Sequence, residues 1–184
     1  ATRTTINYEH TEQDDVPDGG IPTVGLDGSV QKADTSAFYG SDDDFEEAKS
    51  DTFTIKFEQD VSDNTIFKNT ARYAKTSQEM LLTSPFNFST TANTVTRSMH
   101  ARWQENEILT NQSNFTTEIQ TGMLLHKIST GIELTKENQL TKNYTAQTAQ
   151  TSNLYNPTNI SWDDLTFSGQ KSDGETTTVG AYLF

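Results

Sequence analysis

The stretch Leu109-Thr110-Asn111-Gln112-Ser113-Asn114-Phe115-Thr116-Thr117-Glu118-Ile119-Gln120-Thr121-Gly122, continued by Leu124 to Leu134, carries the pattern that decides the fold. Leu109, Phe115 and Ile119 fall on one parity. Thr110, Gln112, Asn114, Thr116, Glu118 and Gln120 fall on the other. After Gly122 the alternation resumes, with Leu124, His126, Ile128, Thr130, Ile132 and Leu134 opposed to Lys127, Ser129, Gly131, Glu133 and Thr135. A period of two is the signature of a β-strand with one apolar face. Gln120-Thr121-Gly122 is a tight turn that folds the two runs into a hairpin. The apolar face is thin, because Asn111, Ser113 and Thr117 interrupt it.

Working outward, the same period recurs. Thr4, Ile6, Tyr8 and His10 alternate with polar neighbours, as do Phe53, Ile55 and Phe57. Phe67, Ala71 and Tyr73 share a face, and Val179, Ala181 and Leu183 close the series. Six strands are predicted, at roughly 2–13, 47–61, 64–83, 101–121, 123–139 and 172–184. Val61-Ser62-Asp63-Asn64 is a second tight turn, while the connections at about 14–46, 84–100 and 140–171 are expected to be long. Short turns at one end and long loops at the other describe an all-β, antiparallel, up-and-down transmembrane barrel segment, with periplasmic turns and extracellular loops. A soluble β-sandwich or a fibre-type adhesive module would also alternate. Periodicity alone leaves both open. The predicted length of the fourth strand, roughly twenty residues against about 5–6 in globular sheets, favours the barrel.

Composition narrows the classes further. The chain has 184 residues, with 32% hydrophobic and 21% charged residues. That apolar content is too low for a large two-sided core, and no run of about 18 apolar residues exists to form a transmembrane helix. Continuous Val/Ile/Leu runs of the kind that buried parallel strands require are missing too. The net charge of −13 repels phosphate backbones, which speaks against nucleic acid as a partner. With no Cys there is no disulfide framework and no thiolate chemistry.

Three stretches carry a family resemblance. The first is Ile6-Asn7-Tyr8-Glu9-His10, followed by Gln13-Asp14-Asp15-Val16-Pro17-Asp18-Gly19-Gly20-Ile21-Pro22-Thr23-Val24-Gly25. The second is Phe38-Tyr39-Gly40-Ser41-Asp42-Asp43-Asp44-Phe45, leading through Glu58-Gln59-Asp60 and Asp63-Asn64 to Lys68-Asn69-Thr70-Ala71-Arg72-Tyr73. The third is Ile108-Leu109-Thr110-Asn111-Gln112-Ser113-Asn114-Phe115-Thr116, with Thr121-Gly122, Ser129-Thr130-Gly131 and Glu133. Together they resemble TonB-dependent siderophore receptors of the Fiu/PiuA catecholate type. The resemblance implies that residues 1–184 are a mid-barrel part of such a receptor, with its plug domain absent from the chain. It implies TonB-dependent uptake of an iron–siderophore complex across the Gram-negative outer membrane. Implied partners are the remaining barrel strands, the plug, TonB acting through that plug, and outer-membrane lipid and lipopolysaccharide. No cofactor is implied.

No catalytic constellation is expected. His10, His100 and His126 are far apart, and no P-loop, nucleophile elbow or HExxH spacing occurs. Asp14-Asp15, Asp42-Asp43-Asp44 and Asp163-Asp164 read as solvated loop charge, or as oxygen ligands for a divalent cation; no metal site is predicted from them. A ferric catecholate is aromatic and anionic, so loop cations and rings are the expected contacts. The candidates are Arg97, Arg102 and Trp103, with Tyr39 and Trp162 beside them. On the polar faces, Lys56, Lys68, Arg72, Glu58, Glu118 and Lys127 are expected to line the lumen, with Lys56 paired to a carboxylate on the third strand.

Overall fold

The computed structural model describes residues 1–24 and 31–184. Gly25, the last residue of the first motif, lies outside them. Seven strands form one sheet: β1 (Thr2–Asp15), β2 (Phe45–Ser62), β3 (Thr65–Ser89), β4 (Thr94–Thr121), β5 (Leu124–Tyr144), β6 (Gln150–Asn153) and β7 (Phe167–Leu183). The order is β1-β2-β3-β4-β5-β7, antiparallel throughout, and the short β6 pairs with the outer end of β4. The six long strands and both tight turns match the periodicity. The described strands form a single antiparallel sheet.

The connections differ from expectation in one place. Residues 84–100 are not a long loop: β3 and β4 run through most of that interval and are joined by Thr90–Asn93 alone. Pro85 and the Ser/Asn/Thr-rich composition hide the strand signal. The proline is accommodated because the β3–β4 register shifts between Pro85 and Asn87, a bulge that relieves the ladder of a donor. Asn93 takes the left-handed conformation at φ 53°, which Asn tolerates better than most residues. The β6 strand also escaped prediction, being four residues with no alternating pattern.

Register fixes two faces. Ile6, Ile55, Ala71, Asn111, Leu134 and Val179 are successive cross-strand partners and share the apolar face. Asn7, Thr54, Arg72, Thr110, Thr135 and Thr178 form the adjoining row on the polar face. On β4 the apolar face runs from Leu109 to Ile119, ten steps. At about 3.3 Å per residue that is about 33 Å along the strand, and about 25 Å once tilted by about 40°. This is the height of a barrel's lipid-facing band. Above it the same face turns ionic. Tyr8 donates to Asp51 at 2.6 Å and Tyr73 to Glu107 at 3.1 Å, while Lys75 pairs with Glu105 and Glu107. Tyrosines with rings toward the band and hydroxyls on carboxylates mark the upper interface.

On the polar face Gly131 makes room for a ring. A Cβ there would lie 2.5 Å from the Tyr182 Cζ atom and 2.6 Å from the Ser113 carbonyl oxygen. The Tyr182 hydroxyl in turn accepts from Asn114 at 2.8 Å.

Candidate functional site

The buried core of the chain lies at the loop end. Val24, Ala33, Tyr39, Val95 and Leu154 pack together where the segments 16–44 and 145–166 meet the β3–β4 hairpin. Arg97 binds the two segments to each other. Its guanidinium donates to the carbonyls of Tyr39 at 3.3 Å, Gly40 at 3.0 Å and Thr158 at 2.6 Å, and its side chain is fully buried. Among the described residues, the Arg97 Nε has no hydrogen-bond partner. Tyr39 is equally buried and donates its hydroxyl to the Leu154 carbonyl. Burial, with the Asp34 charge adding to it, pushes the Tyr39 phenol above its usual range.

The acidic run beside Tyr39 has specific work in this junction. Asp42 and Asn159 exchange hydrogen bonds at 2.6 and 3.2 Å. Asp43 accepts from the Trp162 amide at 2.9 Å. Asp44, also buried, accepts from the Thr83 hydroxyl at 2.6 Å and the Ser41 amide at 3.0 Å, and Thr83 accepts from the Trp162 indole at 2.7 Å. Ser41 donates to the Ile160 carbonyl at 2.7 Å. A Cβ on Gly40 would strike the Phe38 ring at 2.1 Å and the Asp44 carboxylate at 2.8 Å, so the turn needs glycine. Among the described residues, no group of three or more His, Cys, Asp or Glu side chains is gathered as a metal site.

Of the five predicted ligand contacts, the structure brings Arg97, Tyr39 and Trp162 into this junction. Arg97 and Tyr39 present no free surface there; Trp162 is half-buried. Arg102 and Trp103 lie lower on β4 and on opposite faces. Arg102 is exposed on the polar face, in contact with Gln78 at 3.5 Å. Trp103 is on the apolar-parity face, under the Lys142 ammonium at 4.4 Å, which also lies over Phe167. Tyr144 stacks on Phe167 at 4.4 Å and donates to Glu79. The five therefore do not form one cluster. Asp44, expected as solvated loop charge or a cation ligand, is instead buried and bonded to Thr83 and Ser41; sequence reasoning gave Thr83 and Asn159 no part in the site.

The polar face has ion pairs near the tight turns. Arg3 meets Asp60 at 2.9 Å and Glu58 at 3.5 Å, Lys68 meets Glu58 at 2.7 Å, and Lys127 meets Glu118 at 3.0 Å. The carboxylate at the centre is Glu58 on β2. Lys56, expected to pair with β3, stays free of ion pairs among the described residues because its β3 partner is Thr70.

A sheet with this band height, one ionic-capped apolar face and one polar face is a barrel wall. No family model matches the chain. It is 35% identical, over its whole length, to the catecholate siderophore receptor Fiu of Escherichia coli K12, of which it spans 27%. The crystal structure of the ferric-catecholate import receptor Fiu in its closed form superposes on the whole chain with a TM-score of 0.91 and covers it with 29% of its own residues. The chain is a barrel segment of a TonB-dependent receptor. The receptor segment is also 32% identical, over 74% of its length, to the probable TonB-dependent siderophore receptor PiuA of Acinetobacter baumannii, of which the match covers 19%. The PiuA crystal structure matches 99% of the segment with a TM-score of 0.84 at 25% identity. Its relatives are receptors of the Gram-negative outer membrane, and the apolar band of the segment faces that membrane's lipid. The lumen is then the side of Arg72, Lys56 and Arg102.

Proposed function

We propose that the receptor of which residues 1–184 form part takes up ferric catecholate siderophores by a TonB-dependent route. The observation that carries this reading is the likeness to Fiu, which extends over every strand and both long loops rather than one motif. In this reading the segment is part of the barrel domain. The edges of β1 and β7 carry unpaired backbone groups that lipid cannot satisfy, so other strands of the receptor close the wall. A plug domain fills the lumen and takes the force of TonB. The tight turns are periplasmic, the long segments face outward, and lipopolysaccharide surrounds the ionic belt above the band.

Arg102 is the proposed ligand cation of the segment, since it is exposed on the lumen side below the loop junction, and Trp162, half-buried in that junction, stays a second candidate. Arg97 and Tyr39 support the vestibule by joining its two loops. Trp103 is directed to the outer surface and leaves the ligand set. The test is uptake of radioactive iron as a catecholate complex, in cells without other catecholate receptors. Deleting the receptor should abolish uptake. Unchanged uptake would refute the ligand class.

A further inference from the structure

The ionic belt above the lipid-facing band treats its cations unequally. Lys49 is paired with Glu12, Lys75 with Glu105 and Glu107, and Lys136 with Glu175. Lys142, higher on the same face, has no carboxylate partner among the described residues. Its ammonium instead lies 4.4 Å from the centre of the Trp103 ring and 5.4 Å from that of Phe167. Its cross-strand neighbour on β7 is a second cation, Lys171. Like charges directly opposite one another destabilise a sheet. An anion resting on both would remove that repulsion. Lys142 is flanked on both sides within the chain, by Trp103 on β4 and Lys171 on β7, and its face is turned away from the lumen and from any plug. Of the carboxylates around it, Glu105 is taken by Lys75 and Glu79 accepts from the Tyr144 hydroxyl. Asp173, diagonal to Lys142 across β5 and β7, is paired with neither lysine among the described residues.

The backbone places rings beside this cation. The β5–β7 register shifts between Lys142 and Tyr144, with Gly169 at φ 80°, and the bulged strand returns Phe167 opposite Tyr144, where the two rings stack at 4.4 Å. Phe167 stays 51% exposed. Apolar ring faces next to an ammonium fit a phosphorylated sugar: its C–H faces pack on the rings and its phosphate accepts from the cation. Height decides which anion this is. Trp103 is six positions above Leu109, the upper end of the band on β4. At about 3.3 Å per residue and a tilt of about 40°, that is about 15 Å above the band. A phospholipid headgroup layer is only about 5–8 Å deep on each side of the bilayer. The phosphate at this height therefore belongs to a longer headgroup, and in a Gram-negative outer membrane that headgroup is the saccharide of lipopolysaccharide.

We infer that Lys142, with Lys171 and the rings of Trp103 and Phe167, holds a phosphorylated saccharide of lipopolysaccharide against the outer wall of the barrel. This rests on the outward placement of the long segments proposed above, and is independent of the siderophore class. The occupant is argued from charge complementarity and from continuity with the lipid-facing band directly below. The paired lysines of the belt, Lys49, Lys75 and Lys136, are not part of the site.

The test uses the delipidated full-length receptor in detergent, with purified lipopolysaccharide bearing a phosphorylated core as probe. Peptide mass spectrometry reads how fast an amine-reactive reagent acylates Lys142 and Lys171. The probe should slow acylation of both about fivefold or more, while the same material after phosphatase treatment, or phosphatidylglycerol in mixed micelles, should leave it within about twofold. In Lys142→Gln, half-protection of Lys171 should need about tenfold more lipopolysaccharide, the loss expected for one charge-assisted contact, and Lys142→Arg should return it toward wild type. Equal protection by phosphatidylglycerol overturns the saccharide assignment. Equal protection by the phosphatase-treated material, or wild-type protection of Lys171 in Lys142→Gln, overturns the phosphate contact. Thiol labelling of Ala92→Cys on intact cells reads the sidedness separately. No labelling there takes down the outward placement and the site together, whereas labelling with Lys142 unprotected removes the site alone.

Discussion

Arg97→Ala is the perturbation that most directly separates a structural from a ligand role at the loop end. The wild-type side chain is fully buried and donates to three carbonyls, two on the segment 16–44 and one on 145–166. A hydrogen bond from a charged donor is worth about 1.5–3 kcal/mol, but the three share one side chain and are not additive. Removing the guanidinium also relieves the desolvation of a fully buried cation, which offsets part of the loss. A net cost of about 3 kcal/mol for opening the junction is the working figure, equivalent to about 100-fold in the opening equilibrium. Amide hydrogen exchange on the intact receptor in detergent reads it locally. The reporters are the Ser41 amide on Asp44, the Asp44 amide on the Ser41 carbonyl and the Leu154 amide on the Asn93 carbonyl. All three should lose protection together in Arg97→Ala, while amides of the membrane band do not change. Faster exchange at Ser41 and Asp44 with Leu154 unaffected would refute the idea that Arg97 couples the two loops. Unchanged exchange at all three, with ligand binding lost, would return Arg97 to the ligand set.

Further outcomes follow from the register. Ile132→Arg, on the lipid face, should cost about 2–4 kcal/mol in lipid-embedded unfolding, whereas Glu133→Arg on the lumen face should cost far less; equal costs would mean a register error of one residue. Gly131→Ala should destabilise by about 1–3 kcal/mol, because the new Cβ meets Tyr182 and the Ser113 carbonyl, while Gly174→Ala, with open space around it, should be far milder in the same unfolding assay. Sidedness is read by a membrane-impermeant thiol reagent on intact cells: Ala92→Cys at the β3–β4 tip should label and Asp63→Cys in the tight turn should not.

The strand pattern was legible wherever one face carried Ile, Phe, Leu or Tyr, as in Phe53–Phe57 and Leu124–Leu134. It failed at 84–100 because Pro85 and the Ser/Asn/Thr-rich composition hid the strand signal, and because the bulge at Pro85 breaks strict alternation. The site was less legible for a different reason. Arg97 and Arg102 look alike in sequence, five residues apart, yet one is enclosed by two loops and the other is exposed. Their difference is made by Tyr39, Gly40 and Thr158, which are 57 or more positions away along the chain. Arg102 and Trp103 were both expected in the ligand set, although as neighbours on one strand they fall on opposite faces, and nothing local said that Trp103 would sit under Lys142 on β5.

The weak apolar face of the β4–β5 hairpin has a structural answer. Asn111 and Ser113 point toward lipid with Asn69 between them. The Asn69 amide donates to Asn111 at 3.0 Å and to Ser113 at 2.8 Å, and Asn111 donates back to Asn69 at 3.3 Å. Thr65 and Thr117 pair their hydroxyls at 2.8 Å on the same face nearer the turn. An unpartnered polar group in hydrocarbon costs several kcal/mol, whereas a mutually bonded set costs much less. These residues can therefore interrupt a lipid-facing strand because they neighbour one another across β3 and β4, a condition that neither strand's own sequence reveals. The same reasoning gives their removal a sign: replacing only Asn69 by Leu strands two polar side chains and should destabilise the wall, while replacing all three by apolar residues of similar size should be close to neutral.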